Sequence, residues 1–118
     1  MKLEIKEVKD KGSIEERIVL IAYEDCDLGY YFIFTTKRTK DGTSLSSLIK
    51  DAYWIPDKKV KKGDLVVIYS KVGTSSFKIN DDNTTSHFYY RNLPGPVLIE
   101  NKIALLVEAT MWKAEKPQ

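Results

Sequence analysis

The sequence predicts a small all-β sandwich of about seven strands. Three observations carry that expectation. Residues 53–70 read as a strand end (Tyr53-Trp54-Ile55), a charged turn closed by Gly63-Asp64, and a clean strand, Leu65-Val66-Val67-Ile68-Tyr69. A second aromatic run, His87-Phe88-Tyr89-Tyr90, precedes a last apolar strand over residues 103–112. Helix signals are thin: no stretch of about a dozen residues carries an i, i+3, i+4, i+7 apolar stripe, whereas β-branched and aromatic residues dominate the apolar segments.

Taken in order, residues 3–8 alternate and read as an edge strand. Residues 16–23 contain the continuous run Ile18-Val19-Leu20-Ile21-Ala22-Tyr23, which suits a central strand covered on both faces. Asp27-Leu28-Gly29 reads as a turn in which Gly29 can take a positive φ, leading into a strand over residues 30–35. A short strand ends at Trp54-Ile55, because Pro56 removes a donor and stops the ladder. Strands over residues 64–70, 86–91 and 102–112 complete the set. In the last of these Ile103, Leu105, Val107, Ala109 and Met111 fall on one face and Ala104, Leu106, Glu108, Thr110 and Trp112 on the other; if the first is the core face, burying Leu105 alone is worth about 1.5–3 kcal/mol. Residues 36–47 and 72–85 are polar, rich in turn formers and read as long loops. A single domain over residues 1–113 with a frayed tail over 114–118 is expected.

Composition narrows the function classes. The chain is 42% hydrophobic and 31% charged, an ordinary globular balance that argues against disorder. A net charge of +2 is too small to argue for nucleic-acid binding by itself. The opening residues Met1-Lys2-Leu3-Glu4-Ile5-Lys6-Glu7 lack the apolar segment of a signal peptide, and no apolar run approaches membrane-spanning length. The lone Cys26 excludes an internal disulfide, so a cytoplasmic location is the expectation.

The order of the segments resembles the lamin-tail domain. Asp27-Leu28-Gly29-Tyr30-Tyr31-Phe32 is similar to that family's turn and aromatic strand after a first long strand, here residues 17–23. Tyr53-Trp54-Ile55-Pro56-Asp57, then Val60-x-x-Gly63-Asp64-x-Val66-Val67-Ile68-Tyr69, is similar to its strand, Gly-Asp turn and following strand. His87-Phe88-Tyr89-Tyr90, Leu93 and the closing strand resemble its late part, although Glu100-Asn101-Lys102 stands where a Gly-Asp pair precedes the closing strand in the family. The resemblance spans residues 15–112. It implies an immunoglobulin-like β-sandwich that works as a stand-alone interaction module, with no catalytic residues to carry over.

Chemistry-bearing residues are few. His87 is the only histidine, so any triad or metal-histidine site must use it, with Ser86, Cys26 or an acid such as Asp81 as partner. Ser86, its strand neighbour, points to the opposite face, and an exposed or half-buried strand histidine is expected. A His87-dependent hydrolase would require an acid beside it in a concave pocket. Glu24, Asp25 and Asp27, and separately Asp81 and Asp82, read as solvated acidic turns, because calcium needs about six to eight convergent oxygens. No nucleophile-elbow, zinc-protease, phosphate-loop or dinucleotide fingerprint occurs.

Two surface features remain. Residues 36–62 hold eight basic residues (Lys37, Arg38, Lys40, Lys50, Lys58, Lys59, Lys61, Lys62) against three acids, and form one patch only if the 36–47 loop and the 57–62 turn share an end of the sandwich. Consecutive aromatics, Tyr30-Tyr31 and Tyr89-Tyr90, must put at least one ring of each pair outside the core. The expected function is therefore a non-enzymatic module, without cofactor or metal, that binds a protein partner through loops and outward aromatics. Its candidate residues are Lys37, Arg38, Lys58, Lys59, Lys61, Lys62, Tyr89 and Tyr90. The alternative is a nucleic-acid-binding β-barrel module that uses Lys58 to Lys62 with exposed tyrosines. A monomer, or a dimer formed by strand addition at residues 3–8, is compatible with either.

Overall fold

In a computed structural model, which describes residues 1–37 and 49–117, the apolar segments form ten strands and one 3-10 turn. The strands are β1 (Leu3–Lys9), β2 (Arg17–Ala22), β3 (Cys26–Asp27), β4 (Tyr31–Lys37), β5 (Lys50–Trp54), β6 (Lys59–Val60), β7 (Leu65–Tyr69), β8 (Ser76–Ile79), β9 (Thr85–Tyr90) and β10 (Lys102–Glu108), and the turn is Leu28–Tyr30. Five strands make one sheet in the order β1-β2-β7-β9-β8, three make a second in the order β10-β4-β5, and β3 and β6 form a small ribbon. The core lies between the two large sheets. Leu3, Ile18, Leu20, Val66, Ile68 and Tyr89 from the first meet Tyr31, Ile33 and Leu106 from the second, with Leu28, Ile55, Val60 and Leu98 closing the edges. The all-β sandwich class is the expected one, with ten strands among the described residues in place of about seven. Among these residues no helix is long and apolar enough to cross a membrane.

The three additional strands are short and depend on their partners. The ribbon β3–β6 pairs Cys26 with Val60 and Asp27 with Lys59, inside what read as two turns. Strand β8 lies within the expected 72–85 loop: its side chains are all exposed, and it exists because β9 offers an edge, with Phe77 opposite His87 and Ile79 opposite Thr85. The β8–β9 hairpin turns at Asn83, held at φ 68 in the left-handed region that asparagine tolerates. It also makes β7 and β9 parallel neighbours, aligning Val66 with His87 and Ile68 with Tyr89.

Three expectations are corrected. The core face of β10 is the other one: Leu106, opposite Ile33, and Ala104, opposite Thr35, point inward, while Ile103, Leu105 and Val107 point outward. Both faces of this strand are apolar, so alternation alone could not choose between them. Strand β10 also stops at Glu108, leaving Met111 89% and Trp112 66% exposed. Gly29 does not use the positive φ open to it; among the described residues the left-handed glycines are Gly12 and Gly63. What Gly29 provides is space, because a Cβ there would lie 1.8 Å from Asp57 Oδ1.

The end of the sandwich at the start of β2 is tied by Glu16, which is fully buried. Its Oε1 accepts from Gly12 N and Leu98 N, both at 2.9 Å, and its Oε2 from Val97 N at 2.9 Å and Ser70 Oγ at 2.5 Å. Burial pushes this carboxyl up, but the four donors outweigh it and hold it below the usual glutamate range.

Candidate partner-binding site

The outer face of the three-stranded sheet is aromatic because of the phase of β4. Tyr31, Ile33 and Thr35 take the inner face, so Phe32 and Phe34 stand outside. Across the sheet Phe32 pairs with Trp54 and Val107, and Phe34 with Leu105. The rings form a continuous row: Phe34 stacks on Phe32 at 6.1 Å, Phe32 meets Trp54 at 4.6 Å, and Trp112 stands edge-on to Trp54 at 5.3 Å and 90°.

At the end of this row lies a cleft of about 560 Å³, lined by Tyr30, Trp54 and Trp112 with Gly29, Asp27 and Asp57. Its geometry is fixed by short-range contacts. Asp27 Oδ1 caps the 3-10 turn by accepting from Gly29 N at 2.9 Å, and it also accepts from Lys58 N at 3.3 Å. Leu28 N donates to the Lys58 carbonyl at 3.0 Å, and the Trp54 indole N–H donates to the Gly29 carbonyl at 2.7 Å. Tyr31 is buried and its hydroxyl donates to Glu108 at 2.7 Å, which leaves its neighbour Tyr30 outside and 52% exposed. Burial first, and then the Glu108 carboxylate, push the Tyr31 phenol far up. Trp54 is 45% exposed and Trp112 66%.

On the other side of the 56–61 segment is a shallow pocket of about 250 Å³, lined by Lys58, Lys59 and Lys61, by Phe77 and Ile79 of β8, and by Asp64 and His87. Asp64 Oδ2 accepts from Lys61 N at 3.0 Å and lies 3.2 Å from His87 Nε2, while Oδ1 accepts from Thr85 N at 2.9 Å. Burial raises the Asp64 carboxyl, and these donors more than reverse it, so the group sits below the usual aspartate range. His87 is 6% exposed, which corrects the expectation of an exposed or half-buried residue. Its acid is Asp64, not Asp81, because the parallel β7–β9 register sets His87 beside the start of β7. An acid and a histidine thus stand together, but no serine or cysteine lines the pocket. Ser86 faces away and accepts from Asn80 Nδ2 at 3.0 Å. Cys26 lies in the β3–β6 ribbon, and burial pushes its thiol up, away from the thiolate a nucleophile needs.

The expected binding residues are dispersed. Lys58, Lys59 and Lys61 converge on the pocket just described, and Lys62 is exposed beside them, its N–H donating to Asp25 at 2.9 Å. Lys37 ends β4, about 20 Å of strand from Tyr31, whose carbonyl accepts from Ile55 N at the 55–58 end. The two basic segments therefore start from opposite ends of β4. Arg38 and most of the 36–47 loop lie outside the described residues. Tyr89 points into the core at 8% exposure, a correction to its expected outward role. Tyr90 is outward, stacked on Tyr69 at 5.0 Å and packed over Gly73. Above Tyr69 lie the chain's own cations, Arg17 Cζ at 5.6 Å and Lys71 Nζ at 5.1 Å from the ring centroid.

Sequence reasoning missed the cleft formed by Tyr30, Trp54, Trp112 and Asp57. The rule that consecutive aromatics cannot share a face flagged Tyr30-Tyr31 and applies equally to Tyr53-Trp54, but nothing local brings Trp112 to Trp54. Among the described residues, no group of three or more His, Cys, Asp or Glu side chains is arranged to hold a metal ion. No protein-family model matches the chain, and no curated protein matches it in sequence.

Proposed function

We propose that this chain is a non-enzymatic interaction module of the cytoplasm, of the lamin-tail kind, that binds a protein partner on the outer face of its three-stranded sheet. One observation carries the reading: the row Phe34, Phe32, Trp54 and Trp112 ends with two indoles that are 45% and 66% exposed. Monomeric proteins rarely leave large contiguous apolar surface in water, and tryptophan is prominent among residues that dominate interfaces. Covering the exposed part of each indole contributes about 2 kcal/mol, enough for two rings to anchor a contact. Outward-facing Leu105 and Val107 extend the same surface.

Affinity capture from the source cell with the wild-type chain and with Trp54→Ser/Trp112→Ser tests this. The wild type is expected to retain a protein that the double variant loses. Equal retention by both would move the interface off this face.

A second reading, nucleic-acid binding, is favoured by a separate observation: Lys58, Lys59 and Lys61 share one pocket with exposed Phe77 and Ile79. That reading expects a barrel, whereas the strands lie in two large sheets and a two-stranded ribbon. Anisotropy titration with single- and double-stranded oligonucleotides at about 50 and 200 mM salt separates the two, because phosphate contacts weaken steeply with salt and an apolar interface does not.

A further inference from the structure

The cleft at the end of the aromatic row has a chemical preference, and resting on the reading above we infer that it takes a quaternary ammonium group, carried by a methylated lysine side chain of the protein partner. Cations are held over the faces of tryptophan and tyrosine, most effectively when several rings surround a weakly hydrated ammonium. Tyr30, Trp54 and Trp112 line this cleft together, and the two indoles stand at 90°. A flat sugar or base stacks on one face at a time; walls at right angles enclose a compact group instead. The volume of about 560 Å³ leaves room for the alkyl chain that delivers it.

Charge agrees with shape. The cleft is lined by two carboxylates, Asp27 and Asp57, and by no basic side chain. Both reach the same small area above Gly29: a Cβ placed there would be 1.8 Å from Asp57 Oδ1 and 3.3 Å from Asp27 Oδ1. Asp27 Oδ1 already accepts two backbone N–H groups, whereas no hydrogen bond or ion pair reaches the Asp57 carboxylate among the described residues.

A stacked aromatic pair elsewhere in the molecule is covered by cations of the chain itself. The Tyr69 ring, stacked on Tyr90, is covered by Arg17 and Lys71, each of them paired with an acid of the chain, Asp10 at 2.6 Å and Glu15 at 2.8 Å. Among the described residues no cation of the chain covers Tyr30, Trp54 or Trp112.

Trp54 and Trp112 are the only tryptophans of the chain, so intrinsic fluorescence reports directly on this cleft. The test is a fluorescence titration with N-acetyl-trimethyllysine methylamide, with its neutral isostere in which carbon replaces the quaternary nitrogen, and with the unmethylated lysine derivative. Saturable binding of the trimethyl compound is expected, about 10-fold tighter than either control. Asp57→Asn and Tyr30→Leu, both at exposed side chains, should each weaken it about 3- to 10-fold while the fold persists by circular dichroism. Equal binding of the neutral isostere would overturn the cation assignment and leave the cleft as an apolar docking surface. Equal binding of unmethylated lysine would overturn the quaternary preference. Absence of saturable binding by all three would overturn the inference outright. The capture experiment with Trp54→Ser/Trp112→Ser judges the partner-binding face separately.

Discussion

The molecule carries two aromatic regions, one on the outer face of each large sheet, and they differ in what covers them. On the five-stranded sheet Tyr69 and Tyr90 stack at 5.0 Å, and the chain lays Arg17 and Lys71 over Tyr69. On the three-stranded sheet Trp54 and Trp112 meet edge-to-face at 5.3 Å, with acids beside them and 45% and 66% of their surface in water. Tyrosine and tryptophan offer cations a similar ring face, so the rings do not explain the difference. The neighbours do: the first region is covered by Arg17 of the adjacent strand β2 and by Lys71 just past the end of β7, and the second is left open. The first aromatic group is covered from within the chain; the second is the one proposed above to receive a partner.

The strongest way to break the comparison is to remove the support of the closed region. Glu16 stands next to Arg17 and bonds Ser70, the neighbour of Tyr69. In Glu16→Gln an amide that cannot accept faces two of the four donors, and a loss of about 3 kcal/mol is expected from urea unfolding monitored by fluorescence. The pH dependence follows from the same carboxylate. The unfolded chain takes up the proton at the ordinary glutamate value, while the folded protein still holds Glu16 ionised, so protonation favours unfolding. Its contribution is complete above the ordinary glutamate pKa and is lost as the pH falls through the lower folded value. Stability of the wild type should therefore drop more steeply there than that of Glu16→Gln; parallel pH profiles would remove Glu16 from this role.

A smaller effect sharpens the contrast between the aromatic groups themselves. Tyr69→Leu gives up a stacked ring and two cations, and should cost about 1 to 2 kcal/mol in the same unfolding measurement. Trp112→Leu removes a ring that lies beyond the end of β10 and is mostly in water, so it should cost less than about 0.5 kcal/mol while weakening binding at the cleft. If the two costs proved equal, the open region would be as structural as the closed one.

The smallest expected change in stability comes from Gly29→Ala. Gly29 needs no positive φ, so its backbone accepts a side chain, but the new Cβ displaces the exposed Asp57 carboxylate. Melting should stay within a few degrees of the wild type, and trimethyllysine affinity should fall about 3- to 10-fold, as for Asp57→Asn. Unchanged affinity would separate Asp57 from the site.

Local rules located most of the large strands. Pro56 stops the ladder after Trp54, Gly63 turns the chain at φ +92, and the run from Ile18 to Ala22 fills a strand between two others. They failed where two answers carried equal local weight. Ile103, Leu105 and Val107 make as good a core face as Ala104 and Leu106, and only the pairing of Leu106 with Ile33 chose. Residues 76–79 have no buried side chain, and only the edge of β9 made them a strand.

By itself the sequence determined the class of the fold and the rule that one ring of each aromatic pair must leave the core, because strand formation and alternation depend on residues within a few positions of one another. Tertiary structure alone decided which rings meet and which charges face them. Trp112 reaches Trp54 across a separation of 58 positions, Asp57 fits over Gly29, and Asp64 finds His87 through a parallel pairing built by a distant hairpin. Those contacts are set by sheet order and register, which hydrophobic packing selects for the molecule as a whole and which no short stretch of sequence encodes.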